Sequence, residues 1–216
     1  MSDYRAPVKD MRFVMDEIVG LADIAQLPGY EEATPDMADA ILEEAAKFAG
    51  GVLAPLNRSG DQQGCKLGAD GVTTPDGWKD AYQAFCDSGW NGLAMPAEFG
   101  GQGLPETFNI AVKEMLASAN MAFSLCPMLT GGAILALLTC ASDELKATYL
   151  EKMVTGEWTG TMNLTEPQAG SDIALVRSRA EPQADGSYKV FGQKIFITYG
   201  DHDMTDNIVH LVLARL

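Results

Sequence analysis

The sequence predicts an α+β fold, in which an all-helical region is followed by the start of a β domain. Apolar residues recur at helical spacing in most segments up to about Gly156. From Trp158 onward the pattern changes to a period of two, which is typical of strands. The segment Met128 to Cys140 is apolar on nearly every face, which predicts a central buried helix. The 216 residues suffice for one or two domains.

The first two predicted helices are delimited by proline and glycine. An amphipathic N-terminal helix includes Met11 and Leu21, and Pro28-Gly29 is predicted to end it. Thr34-Pro35-Asp36 combines a hydroxyl cap, a proline at the first helical position and an acid near the positive helix end. A second helix therefore begins there, and Gly50-Gly51 is predicted to end it.

The remaining elements follow a predicted loop at residues 59–77. Further helices are predicted at 78–85, 108–116, 128–140 and 145–153. Strands are predicted at 158–164, 173–180, 187–191, 194–198 and 208–213. The chain therefore divides into a helical extension (1–33), a helical domain (34–157) and a β domain (158–216).

Composition excludes several classes of function. The formal charge is −15, which argues against a nucleic-acid-binding face. No segment is judged apolar for long enough to cross a bilayer, and the N-terminus lacks a signal peptide, so no membrane association is expected. Four cysteines without a C-x-x-C spacing predict reduced thiols that mostly fill the core, and hence a cytoplasmic protein. With only His202 and His210 as imidazoles, no metal site is predicted.

One stretch has the chemistry of a binding loop. A strand of threonine and apolar residues runs into Glu166-Pro167, where the proline ends regular pairing because it has no N–H. The segment Ala169 to Asp172 then predicts a tight turn, in which amides and the Ser171 hydroxyl converge. Such a concavity suits an anion, typically a phosphate. A plain connecting loop is the alternative.

Three motifs carry a resemblance to a known family. The run Leu164-Thr-Glu-Pro-x-Ala-Gly-Ser-Asp172 resembles the signature of the acyl-CoA dehydrogenases, which are flavoenzymes. Gly192-Gln-Lys-Ile-Phe-Ile-Thr198 resembles a second motif of that family, with Phe196 where Trp is commoner. Met95 to Gly103 resembles a third. The extension from Tyr4 to Phe13 is similar to that of larger bacterial members, a subfamily that includes the methylmercaptopropionyl-CoA dehydrogenases.

The resemblance implies FAD as cofactor and assigns roles to residues of both motifs. Thr165 would bind the pyrimidine edge of the flavin, and Thr198 would reach its N5/O4 edge. Gly170 and Ser171 would face the pyrophosphate, Ser171 would also meet the CoA arm of the substrate, and Phe196 would cover one ring face. The full set of expected cofactor-binding residues is Met162, Leu164, Thr165, Gly170, Ser171, Phe196, Ile197 and Thr198.

The resemblance also implies which parts lie outside this sequence. The β domain would be the start of an antiparallel barrel or sandwich, and a C-terminal helical domain would be absent from the chain. The chain stops after an apolar strand at Leu216, which predicts a longer protein. The catalytic base is expected as a Glu beyond Leu216, so this fragment alone is expected to be inactive and to hold little FAD.

The implied activity is α,β-desaturation of an acyl-CoA thioester. Electrons would pass to electron-transfer flavoprotein, and the substrate would be 3-(methylthio)propanoyl-CoA or a related short or medium acyl-CoA. The alternatives are an acyl-CoA oxidase, or a non-catalytic or nucleic-acid-associated member of the same fold. A homodimer or homotetramer is expected for the full-length protein.

Overall fold

The computed structural model describes residues 4–216, and its N-terminal extension is a broken helix. Helix α1 spans Val8–Phe13, a π-helical turn spans Val14–Val19, and α2 spans Leu21–Ile24. Gly20, with φ at 77°, separates the last two segments. The prediction of one helix ended by Pro28-Gly29 is therefore wrong, because the left-handed glycine interrupts it earlier.

The second helix begins as predicted but runs further. Helix α3 spans Pro35–Phe48, and Thr34 caps it by accepting a hydrogen bond from the Met37 amide at 3.2 Å. A π-helical segment, Ala49–Leu53, leads directly into α4, Ala54–Gln63. The glycines at 50 and 51 keep helical geometry and do not end the helix, and a short hairpin of β1 (Lys66–Gly68) and β2 (Gly71–Thr73) occupies part of the predicted loop.

Four more helices complete the helical domain. They are α5 (Trp78–Asp87), α6 (Glu106–Ala119), α7 (Met121–Cys140) and α8 (Asp143–Val154). The main core gathers the apolar faces of α3 to α7, with Phe85, Phe108 and Phe123 fully buried. The four cysteines are unpaired, and Cys65 and Cys140 are exposed, so the prediction that thiols mostly fill the core is wrong.

Helix α7 is more exposed than its composition predicts. It packs against α6, α8 and strand β3 (Trp158–Asn163), yet Leu135 is 64% exposed. It is the one helix in the described chain that is long and apolar enough to cross a membrane, so the statement that no such segment exists is wrong. Its contacts are those of a core helix with one uncovered face.

The β region contains three further strands: β4 (Arg179–Pro182), β5 (Tyr188–Phe191) and β6 (Asn207–Val212). Strands β4 and β5 form an antiparallel hairpin, whereas β3 and β6 pair in parallel, from Trp158 opposite Asn207 to Asn163 opposite Val212. The α+β class is confirmed, with a helical domain followed by the start of a β domain. The pairing, however, is not antiparallel throughout.

Two predicted strands differ in the structure. Ile173–Leu175 is a 3-10 turn, and extended structure resumes only at Arg179. No strand forms at residues 194–198, because Phe196 has a left-handed φ of 57°, which is incompatible with a ladder. This irregular segment contacts Leu164 and Thr165, which directly follow β3, and so belongs to the candidate site.

Candidate functional site

Strand β3 leads to the site and is held on both faces. Its Gly160 amide donates to Thr130 Oγ1 on α7 at 3.0 Å. The buried Thr159 and Thr161 contact the two histidines of the chain: Thr159 Oγ1 lies 2.9 Å from His202 Nε2, and Thr161 Oγ1 lies 2.7 Å from His210 Nδ1. These contacts fix the strand before it enters the signature motif.

His202 is a structural residue of this region. Its Nδ1 accepts a hydrogen bond from the Met204 amide at 3.1 Å, so Nε2 carries the proton and donates to Thr159. Burial lowers the pKa of His202 and favours this neutral form, against the opposite effect of Asp203 and Asp201. Residues 4–216 contain no group of three or more His, Cys, Asp or Glu arranged to hold a metal ion.

The signature motif is organised around a buried ion pair. Glu166 Oε1 lies 2.9 Å from Lys194 Nζ, and the two side chains are only 3% and 10% exposed. The carboxylate also accepts hydrogen bonds from the amides of Arg177 (2.7 Å) and Ser178 (2.9 Å) and from the Gln168 side chain (2.5 Å). Glu166 therefore links the turn to two other segments of the β region.

These donors decide the charge of Glu166. The adjacent Ser178 hydroxyl, the Lys194 ammonium and the two amides all favour the carboxylate. The hydroxyl lies beside it without a well-aligned hydrogen bond, and burial acts in the opposite direction. Together they hold the pKa of Glu166 far below its usual range. Its contribution to stability is therefore complete above the unfolded pKa, about 4.3, and is lost as the pH falls below that value.

Lys194 connects the signature motif (Leu164 to Asp172) with the second motif (Gly192 to Thr198), which are distant in the sequence. Its Nζ donates to the Leu164 carbonyl at 2.9 Å, in addition to its contact with Glu166. The Ile195 amide donates to the Thr165 carbonyl at 3.0 Å. The structure thus brings Leu164 and Thr165 directly against the segment that leads to Phe196.

The other predicted residues lie on or near the surface of this junction. Phe196 is 88% exposed, which is unusual for a phenylalanine, and Thr198, Gly170 and Ser171 are exposed as well. The remaining residues of the predicted set are half-buried: Met162, Leu164, Thr165 and Ile197.

The turn that precedes Gly170 also leaves room for a ligand. Mutual backbone hydrogen bonds between Glu166 and Ala169, of 2.8 and 3.0 Å, close the turn. A Cβ added at Gly170 would meet nothing within 4 Å. The residues therefore fit part of a flavin site: an exposed aromatic ring at Phe196, exposed hydroxyl groups at Thr198 and Ser171, and open space beside Gly170.

Sequence reasoning missed an apolar cavity in the helical domain. It has a volume of about 190 Å³ and lies between α6, α7 and the segment that contains Trp90. Met95, Met121 and Met128 line it, together with Ser124. It shares Met95 with the third motif and no lining residue with the other two. The apolar pattern of α6 and α7 indicated core packing and gave no separate signal for a cavity.

Lys194 was also missed as a site residue. A single cation between Gly192 and an apolar run was the available signal, since a lysine so placed needs a buried partner or a solvent path. Its partner, Glu166, lies 28 residues earlier in the sequence. Spacing alone therefore does not identify the pair.

Comparison with known proteins identifies the family. The profile for "Acyl-CoA dehydrogenase, N-terminal domain" matches residues 35–157. A 3-methylmercaptopropionyl-CoA dehydrogenase of Ruegeria pomeroyi is 51% identical over 212 residues, which cover 98% of this chain and 36% of that protein. A butyryl-CoA dehydrogenase of Syntrophomonas wolfei is 37% identical, with 99% and 36% covered.

A solved structure agrees with these relatives. The structure described as PigA with FAD and proline matches with a TM-score of 0.59 and 30% identity, and the match covers 76% of this chain and 40% of that one. The chain spans about a third of the length of the two curated relatives. By its matching profile, its motifs and its fold, this chain belongs to the acyl-CoA dehydrogenase family.

Proposed function

We propose that the whole protein is an FAD-dependent acyl-CoA dehydrogenase that desaturates a short or medium acyl-CoA and passes electrons to electron-transfer flavoprotein. The junction of the two motifs carries this proposal, because it presents Phe196 and Thr198 on a segment that is attached to the signature by two bonds. Lys194 donates to the Leu164 carbonyl, and the Ile195 amide donates to the Thr165 carbonyl. When bound, FAD would supply the acceptor for the hydride that leaves the β-carbon.

The residues of the junction would bind and orient the flavin. Thr165 and Thr198 would donate to its polar edge, Phe196 would cover one ring face, and Gly170 and Ser171 would face the pyrophosphate. Ser171 would also meet the CoA arm of the substrate. Exposure of Phe196, Thr198 and Ser171 supports these roles, since each is available to a ligand. Exposed donors near a phosphate form strong, charge-assisted hydrogen bonds.

The base that removes the α-proton is proposed to lie outside residues 4–216. Besides the exposed Asp172, which accepts a hydrogen bond from the Ala174 amide, the signature contains one carboxylate, Glu166, and it already accepts hydrogen bonds from four donors. Its depressed pKa makes it a weak base near neutral pH, where a general base works best with a pKa close to the ambient value. Glu166 is therefore a structural residue.

The cavity between α6 and α7 is proposed to receive the acyl chain. Its lining is largely apolar, and its methionines are adaptable and polarisable, which suits a short chain that contains a thioether. The 51% identity with an enzyme named for 3-methylmercaptopropionyl-CoA supports the same substrate here. Butyryl-CoA, named for the second relative, is the natural comparison.

The test is anaerobic titration of the purified whole protein with acyl-CoA. We expect a bound flavin whose visible band is bleached by 3-(methylthio)propanoyl-CoA more efficiently than by butyryl-CoA. The reduced enzyme should then reoxidise faster with electron-transfer flavoprotein than with oxygen. The proposal fails if no flavin co-purifies or no acyl-CoA bleaches it, and faster reoxidation by oxygen would indicate an oxidase.

A further inference from the structure

The segment that follows Phe196 contains unusual backbone geometry. Phe196 and Tyr199 have φ angles of 57° and 53°, and they are the non-glycine residues with positive φ in residues 4–216. The left-handed region is unfavourable for bulky side chains. Such residues persist where the surroundings fix them, and they are concentrated at functional sites. The segment between them contains Ile197 and Thr198, so strong anchors are expected nearby.

The first anchor is the side chain of Tyr199. Its hydroxyl donates to the Ala122 carbonyl at 2.8 Å, in the first turn of α7. Its ring meets the His202 ring edge-on, with centroids 5.8 Å apart, and packs against the helical core. Burial raises the pKa of Tyr199, so the hydroxyl remains a donor. The neighbour of Ala122, Met121, lines the apolar cavity.

The second anchor is the turn from Asp201 to Asp203. Asp201 Oδ2 accepts a hydrogen bond from the Val72 amide at 3.0 Å. Asp203 Oδ1 accepts two from Thr74, from its amide at 3.0 Å and from its hydroxyl at 2.7 Å. These three bonds tie the turn to β2 and to Thr74, the residue that follows it in the helical domain, 129 residues away in sequence.

We propose that Tyr199 and the Asp201–Asp203 turn form a positioning clamp that holds Phe196–Thr198 against the flavin and at a fixed distance from the cavity. The clamp rests on the proposed function, since it assumes that Thr198 and Phe196 contact FAD. Both anchors attach to the helical domain, and one of them attaches to the helix that lines the cavity. The clamp therefore couples the position of the flavin edge to that of the acyl chain.

Two mild substitutions in the whole protein test the clamp. Tyr199→Phe removes the hydroxyl that binds Ala122, and Thr74→Val removes one donor to Asp203 with little change in shape. Tyr188→Phe is the matched control, because Tyr188 is an exposed residue of the β4–β5 hairpin. The measurements are the dissociation constant of FAD, the visible circular dichroism of bound flavin, and hydrogen exchange at residues 196–198.

We expect Tyr199→Phe and Thr74→Val each to weaken FAD binding about three- to tenfold, the range for loss of one hydrogen bond. The flavin dichroism should change and the amides at 196–198 should exchange faster, with the control unchanged. Wild-type values in both variants would overturn the clamp. If the wild-type protein binds no flavin, the proposed function is overturned. Hydrogen exchange at residues 196–198 then tests the clamp alone, and unchanged exchange in both variants refutes it.

Discussion

Replacement of Lys194 by methionine should release FAD from the whole protein, with binding weakened more than tenfold. Methionine fills a similar volume but leaves the Glu166 carboxylate without its cation and the Leu164 carbonyl without its donor. Removing one partner of a buried pair is strongly destabilising, because the remaining charge is still buried. The junction between the two motifs should therefore loosen. Flavin content and thermal denaturation measure the two effects.

Lys152→Met is the matched control for this prediction. Lys152 Nζ lies 2.8 Å from Glu157 Oε1, about as close as the buried pair, but the two side chains are 43% and 58% exposed. An exposed pair contributes at most about 1 kcal/mol. The double variant Glu166→Gln/Lys194→Met should be less impaired than Lys194→Met, because no charge is left unpaired. Equal loss of FAD in the single and double variants would show that the charge of Glu166 is irrelevant.

A second large effect, a loss of stability, is expected from Gly160→Ala. This substitution tests how closely β3 packs against α7. A Cβ at this position would lie 2.7 Å from both Ala133 Cβ and Met153 Cε, well inside contact distance. Overpacking of this kind costs about 1–3 kcal/mol. We expect the free energy of unfolding, measured by denaturant titration, to fall by that amount. Flavin binding should weaken with it, since β3 leads into the signature motif.

Gly132→Ala provides the control, because Gly132 lies on α7, the helix against which β3 packs. A Cβ there would meet nothing within 4 Å, and alanine favours a helix over glycine by up to about 1 kcal/mol. Its stability should therefore be unchanged or higher. If Gly160→Ala is as stable as Gly132→Ala, the close packing of β3 on α7 is not a feature of the folded protein.

Local signals in the sequence predicted the parts of the fold that depend on neighbouring residues. The cap at Thr34 formed because hydroxyl, proline and acid stand in the right order. The change of period near Trp158 located the first strand of the β region. The Gly50-Gly51 pair was misleading, because glycine ends a helix only when its backbone turns left-handed, and composition does not reveal that.

The site was predictable in its motifs but not in its contacts. Glu166 lies in the signature that the sequence singles out, whereas its partner Lys194 is set by the three-dimensional fold. The predicted strand at 194–198 failed because Phe196 takes a left-handed backbone conformation, which is rare for a bulky residue and which the alternation of residues does not reveal. The bond from Tyr199 to Ala122 joins residues 77 positions apart, beyond the reach of any periodic pattern.

The most direct test of the central claim is a crystal structure of the whole protein with FAD bound. We expect the Phe196 ring, 88% exposed here, to lie against one face of the flavin, with Thr198 and Thr165 hydrogen-bonded to its edge. The pyrophosphate should lie beside Gly170 and Ser171. A flavin bound elsewhere, with Phe196 still in solvent, would contradict the assignment of this junction as the cofactor site.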